Sequence, residues 1–153
     1  MMKWLDLPPV WLALSVLVVW GFDQIMPWGM FGPGARMAGA VLALIGFGLI
    51  GLAAGQMIAR KTTVIPRNDP SALVTTGLFR LTRNPIYLGD AMVLAAAILW
   101  WDVPVGVPVL LGFMMLIQHR FILDEEARLR SVFGAAFDAW AARVPRWIGF
   151  PKG

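Results

Sequence analysis

Four apolar runs frame this chain. Val10–Phe22 carries no charge and follows Pro8-Pro9. Met37–Ala59 is uncharged throughout. At about 1.5 Å per residue it is long enough to cross about 30 Å of hydrocarbon. Ile86–Trp101 has Asp90 as its one internal charge and follows Pro85, which suits the first position of a helix. Pro104–Gln118 returns after Asp102-Val103, a connection short enough to require an antiparallel hairpin. Trp28–Arg36 holds glycines and Pro33 and reads as a loop. Thr62–Asn84 holds Pro66 and Pro70 and reads as a polar re-entry loop, because X-Pro steps disfavour helix. The last segment, Asp124–Val144, changes character. Leu129, Val132, Phe133, Ala136, Phe137, Trp140 and Val144 recur every three or four residues, which predicts one helix with an apolar face. Glu125 and Glu126 fall within about 60° of the centre of that face, whereas Asp124, Arg128 and Asp138 point away. The predicted fold is all-α: a polytopic helical membrane protein with about four transmembrane helices plus a C-terminal amphipathic cytosolic helix.

Composition agrees. Hydrophobic residues make up 59% of the 153, against about 45–50% in soluble domains. Mean hydropathy is +0.71. Val10–Phe22 is taken as a retained first membrane helix and not a signal peptide, since no small-residue cleavage site follows. Within the second run, Gly51 and Gly55 form a small-xxx-small pair of the kind that lets another helix approach closely. The net charge of +4 matters less than its placement. If both termini are cytosolic, the outer loops hold only Arg36 among the basic residues. The inner segments hold Lys3, the cluster at 60–83 and the cluster at 120–152, as the positive-inside tendency requires. Integral insertion in a bacterial inner membrane is the expected location. Nucleic-acid binding is disfavoured, because the basic residues flank apolar spans and do not line one soluble face. With no cysteine and a single histidine, His119, the chain offers neither a thiolate nucleophile nor a usual zinc site, and no metal is expected.

Candidate chemistry concentrates in two places. Leu73–Gly89 is dense in residues that neither burial nor helix formation demands, including Arg80, Arg83, Asn84 and Tyr87. Tyr87 is the only tyrosine beside eight Trp and nine Phe. It is either an interface anchor or a donor inside a site. Arg83 and Arg120 read as membrane-flank charges, or as groups that grip a carboxylate or phosphate. Asn84 reads first as a helix cap. The Glu125-Glu126 pair is the second place. Two carboxylates on an apolar face are costly unless a cation meets them. The alternatives are a favourable helix N-terminus, or pairing with Arg80, Arg83 or Arg120.

Taken together these residues resemble the integral membrane methyltransferases related to isoprenylcysteine carboxyl methyltransferase and the phospholipid N-methyltransferases. The matching pieces are Leu73-Val74-Thr75-Thr76-Gly77-Leu78-Phe79, then Arg83-Asn84-Pro85-Ile86-Tyr87-Leu88-Gly89. After the hairpin come Glu125-Glu126, Leu129, Phe133-Gly134 and Val144-Pro145-Arg146-Trp147. The resemblance implies one membrane methyltransferase domain over 1–153. Residues 1–59 supply two membrane helices, and 60–147 supply a cofactor-binding core. It implies S-adenosyl-L-methionine as cofactor, lined by Ser71, Ala72, Leu73, Val74, Phe79, Arg83, Asn84, Pro85, Ile86 and Tyr87, with Glu125 on its polar end. It implies that Arg120, or less closely His119, holds the substrate. For an amine acceptor, Glu126 or Asp90 takes the proton. The carboxyl methyltransferases usually have His at the Asn84 position and Tyr at the Phe79 position. They also have an upstream glutamine that has no counterpart within Thr62–Pro70.

The implied function is methyl transfer to a lipophilic or lipid acceptor at the bilayer, most like isoprenylcysteine carboxyl O-methyltransferase. The alternatives are a phospholipid or amine N-methyltransferase and a small thiol methyltransferase. More distant are a sterol-reductase-like enzyme using NADPH and a non-enzymatic membrane scaffold. Carboxylate, amine and thiol acceptors stay open, as does the oligomeric state.

Overall fold

The computed structural model describes residues 6–149, so Lys3 and Lys152 lie outside the described residues. Among the described residues all regular structure is helical. Helix α1 (Pro8–Ile25) opens on its two prolines, whose missing N–H groups cost nothing there, and ends just before Pro27. Helix α2 (Ala35–Ala59) ends in a Schellman-type turn. Lys61 adopts a left-handed φ of 55°, and the Thr62 N–H reaches back to the Met57 carbonyl at 3.1 Å. A 3-10 turn (Gly77–Arg80) precedes α3 (Pro85–Trp100). Then follow a 3-10 turn (Pro104–Gly106), α4 (Val107–Ile117), a π-helical turn (Gln118–Ile122), α5 (Leu123–Phe133) and α6 (Ala135–Arg143).

Among the described residues three helices are long and apolar enough to cross a bilayer: Pro8–Ile25, Ala35–Ala59 and Pro104–Phe133. Pro85–Trp100 is apolar but shorter. Leu14, Leu17, Trp20, Leu44, Phe47 and Leu52 are exposed, as the outward faces of helices in lipid are.

The chain divides into two compact units, with α2 and α3 supplying residues to both. One is Met1–Gly48 with Gly89–Ile117. Here α1 packs on α4, and Val19, Leu94, Ile98, Val103, Phe113 and Ile117 form the buried centre. Helices α2 and α3 approach closely at two glycines. A Cβ on Gly39 would lie 2.8 Å from the Ala96 carbonyl, and one on Gly46 would lie 2.9 Å from the Gly89 carbonyl. Gly51 and Gly55, the expected contact pair, face open space. The tight helix approach is thus made by different glycines of the same helix. Asp90, in the second turn of α3, is buried.

The hairpin connection in this unit is held by Asp102. Its φ of 53° is the left-handed residue ending α3, and the Val103 N–H returns to the Ile98 carbonyl at 2.9 Å. Its carboxylate accepts the N–H groups of Met30 at 3.0 Å and Phe31 at 2.9 Å. These bonds, with Phe31 first, hold the Asp102 carboxyl below the ordinary range. A depressed folded-state pKa contributes stability that is present above the unfolded value, about 3.9, and is lost as pH falls through the folded value. The melting temperature of the wild type should therefore exceed that of Asp102→Asn above about pH 5, and the gap should shrink as pH falls below about 4. A gap that does not change with pH in detergent melts would rule this out.

The other unit is Leu49–Leu88 with Gln118–Gly153. Its core is Ala53, Val74, Phe79, Phe137, Trp140 and Val144, ringed by Met57, Leu73, Leu78, Ile86, Leu129 and Phe133. Two expectations for its C-terminal part change. The single helix Asp124–Val144 is two helices, α5 and α6, broken at Gly134, whose φ of 51° and ψ of −124° cannot continue a helix. The break resets the helical phase. Phe137 and Trp140 are buried as expected, but Val132 is 53% exposed and Ala136 is exposed too. The hairpin also does not stop at Gln118. The helix continues from Pro104 to Phe133 through the π turn. Residue Ile122, just before α5, is itself helical. The acidic residues therefore do not sit on a free helix N-terminus, and the macrodipole explanation for them lapses.

Candidate active site

The re-entry loop is pinned from several sides before any site residue is placed. Thr62 is buried, and its hydroxyl oxygen accepts the N–H of Ser71 at 3.1 Å and of Ala72 at 3.4 Å. Gln56, near the end of α2, accepts the Leu78 N–H through Oε1 at 3.2 Å. The same side chain fills the space that a Cβ on Gly77 would need. Gly77 also has a φ of 60°, so this position requires glycine on two grounds. The Trp140 indole N–H donates to the Phe79 carbonyl at 3.0 Å and ties the loop to α6.

The end of the loop is stitched to the segment after α6. The Arg83 N–H donates to the Pro145 carbonyl at 2.9 Å. The Thr82 hydroxyl and the Asn84 amide donate to the Arg146 carbonyl at 3.2 and 2.9 Å. Asn84 thus spends its side chain on the C-terminal segment, while Thr82 accepts its N–H at 3.1 Å. The Trp147 indole N–H donates to Gln118 Oε1 at 2.9 Å. The two motifs Arg83-Asn84-Pro85 and Val144-Pro145-Arg146-Trp147 are distant in sequence and form one hydrogen-bonded unit.

The adjacent glutamates have different partners. Glu126 is buried and carries two guanidinium groups. Arg146 grips it bidentately, Nε to Oε1 at 2.9 Å and Nη2 to Oε2 at 2.8 Å. Arg83 Nη1 lies 3.1 Å from Oε1. Burial lowers the Arg83 pKa, opposed by Glu126 and reinforced by Arg146. The hydrogen bond to Glu126 raises that of Arg146. Arg83 Nε is buried without a hydrogen-bond partner among the described residues. Glu125, one residue earlier and about 100° round the helix, accepts the Tyr87 hydroxyl at 2.6 Å. Tyr87 is buried, and its ring lies 6.5 Å from that of Phe121.

Residues 35–136 match the phospholipid methyltransferase family. The chain belongs to this family. A stretch of 88 residues is also 32% identical to the Delta(14)-sterol reductase LBR of Gallus gallus. That match covers 54% of this chain, and the chain spans 13% of that relative's length.

The site expected of this methyltransferase is partly assembled by direct contact. Tyr87 meets Glu125, and Arg83 meets Glu126. Val74 and Phe79 are buried in the hydrophobic core, and Leu73 and Ile86 pack against it. Pro85 is fully buried at the start of α3. Ala72 is half-buried, whereas Ser71 and Arg120 are exposed. His119, the lesser substrate-binding expectation, is exposed in the π turn beside Arg120. Arg146 and Gln56 were not singled out in the sequence as site-forming residues. The only sequence signal for Arg146 was its place in the last motif. For Gln56 it was a lone amide in an apolar helix. Glu126, expected as a proton acceptor, has both oxygens on guanidinium groups.

The residues present fit S-adenosyl-L-methionine in one respect that can be tested chemically. That cofactor is a cation with an ammonium at its amino-acid end. Glu125 offers a carboxylate that accepts a hydrogen bond from an uncharged phenol, that of Tyr87. Among the described residues no cluster of His, Cys, Asp or Glu is arranged to hold a metal.

Proposed function

We propose that this member of the phospholipid methyltransferase family transfers a methyl group from S-adenosyl-L-methionine to a lipophilic or lipid acceptor at the membrane. The supporting observation is the division between Glu126, locked by Arg83 and Arg146, and Glu125, which accepts the Tyr87 hydroxyl. The bound cofactor supplies an electrophilic methyl on a sulfonium. What the chain contributes is position, because in-line displacement needs alignment more than acid–base machinery. In this proposal Glu125 binds the ammonium end, and Tyr87 fixes the Glu125 rotamer. The Glu126 clamp sets the angle between the loop and α5. Ser71, Ala72, Leu73, Val74, Phe79, Asn84 and Ile86 border the cofactor. Arg120, or His119, orients the acceptor. An isoprenylcysteine-like carboxylate needs no proton removed, and a low-dielectric surrounding favours neutralisation of opposite charges as the methyl moves. Amine and thiol acceptors are the alternatives.

We further propose four membrane spans, with the shorter Pro85–Trp100 crossing at a small tilt, and α5–α6 as an amphipathic cytosolic segment. Both termini then face the cytosol of a bacterial inner membrane, which places the basic clusters inside.

Calorimetry with S-adenosylhomocysteine on the detergent-purified chain tests the cofactor. The wild type should bind, and Glu125→Gln should weaken binding roughly tenfold to a hundredfold, the value of a lost charge-assisted hydrogen bond. Undiminished binding by Glu125→Gln would count against the assignment. The likeness to a sterol reductase motivates a second reading, a reductase using NADPH. Tryptophan quenching by NADPH but not by S-adenosylmethionine would favour it.

A further inference from the structure

A groove of about 600 Å³ runs along the first half of α2, from Gly34 to Ile45, and Leu99 of α3 completes its wall. Every residue that lines it is apolar. Met37 is 72% exposed, Val41 50% and Ile45 49%, so the groove opens outward. At about 1.5 Å per residue the stretch from Gly34 to Ile45 is about 16 Å long, close to half of a hydrocarbon core of about 30 Å. The groove is therefore as long as one leaflet is deep. At its loop end stands Arg36, exposed, with its guanidinium carbon 5.4 Å from the centre of the Trp100 ring. Trp100 is itself 45% exposed, as a tryptophan at the membrane–water interface is. Stacking on Trp100 holds the guanidinium by its face, which turns its N–H edges outward. The acidic residue nearby in the chain, Asp102, is turned to the Met30 and Phe31 N–H groups. The charge offered to a headgroup at this level is positive.

A cation at the interface above an apolar channel one leaflet deep matches a lipid with a phosphodiester head. We propose that the groove holds an acyl chain of an anionic phospholipid whose headgroup lacks an amine, with its phosphate on Arg36. This lipid is distinct from the methyl acceptor, because such a headgroup presents no amine, thiol or carboxylate to methylate. The inference rests on the four-span reading above, in which Arg36 faces outward, and not on the methyl donor. A second copy of the chain fits the groove less well. An isologous contact between two copies in one bilayer would bring Arg36 against its own counterpart.

Native mass spectrometry of the full chain released from detergent tests this with three lipids of identical chains: phosphatidylglycerol, phosphatidylethanolamine and diacylglycerol. The wild type should retain phosphatidylglycerol about tenfold or more tightly than diacylglycerol. Arg36→Ala should remove that preference while keeping diacylglycerol within about twofold, and Arg36→Lys should restore part of it. Ala38→Phe fills the groove and should weaken all three lipids. S-adenosylhomocysteine binding should be unchanged in these variants, which checks their folding and separates this proposal from that of the cofactor. Equal retention of phosphatidylglycerol and diacylglycerol by the wild type overturns the role of Arg36. Undiminished lipid retention by Ala38→Phe overturns the role of the groove. Preference for phosphatidylethanolamine, or displacement of the lipid by soluble glycerol phosphate, overturns the ligand assigned. A wild-type dimer that Ala38→Phe dissociates would give the groove to a second copy and overturn it too.

Discussion

Replacing Glu126 by alanine is expected to lower the stability of the purified protein by about 3 kcal/mol, the lower end of the range for removing one partner of a buried ion pair. The Glu126 side chain is 9% exposed and the Arg83 side chain 13%, so solvent screens this pair little. Without the carboxylate two guanidinium groups face each other, and the one on Arg83 already has a buried Nε with no hydrogen-bond partner among the described residues. The Arg146 side chain is 32% exposed and can turn to water, which limits the loss. Glu126→Gln keeps the shape and removes the charge, so it should fall between wild type and alanine. Arg146→Ala should cost less than Glu126→Ala, because Arg83 would still compensate the buried carboxylate. Thermal unfolding of the three variants in one detergent orders them. A Glu126→Ala protein as stable as the wild type would show that the clamp contributes nothing to folding.

The second large effect is expected at Trp140. Its ring is 5% exposed and meets Phe137 edge-on at 5.9 Å, and its N–H holds the Phe79 carbonyl. Trp140→Ala should cost roughly 3–5 kcal/mol, from lost burial and the cavity left behind. Trp140→Phe keeps most of the apolar contact and leaves the Phe79 carbonyl unpaired, so about 1 kcal/mol is expected. This ordering matters for the site because Phe79 belongs to the loop and Trp140 to α6. Limited proteolysis should show the loop opening in Trp140→Ala before the apolar helices are cut. Cleavage within Thr62–Asn84 at the wild-type rate in Trp140→Ala would mean that the loop is held by other contacts.

These two residues show how far the sequence could be read. The apolar period placed Phe137, Trp140 and Val144 on one face, and all three are buried. It also placed Val132 and Ala136 there, and they are exposed. The period was extrapolated through Gly134 as though the helix were continuous. A glycine is compatible with a helix interior as well as with a break, so local propensity could not choose. The apolar packing that brings Phe133 and Phe137 to a common core decided it. The glutamate pair shows the same limit. Adjacent residues of one helix have side chains about 100° apart, so identical groups meet different surroundings. Which neighbour binds which glutamate depends on segments far along the chain. Tyr87 lies 38 residues before Glu125, and Arg146 lies 20 residues after Glu126. No local pattern carries that information.

By itself the sequence determined an all-helical chain, its long apolar segments and the ordered motifs of the phospholipid methyltransferase family. Each of these is written in contiguous residues: runs too apolar for water, prolines at helix starts, and charge clusters that end the runs. Only the tertiary structure decided that Glu126 is a clamp and Glu125 is not. It also decided that Arg146 and Gln56 hold the loop, and that Arg36 stands over Trp100. Those outcomes turn on directions in space set by a π turn, a glycine break and left-handed residues. The glycine break and the left-handed residues turn the chain and the π turn shifts the helical phase, each within a few residues, and so they leave little trace in composition or period.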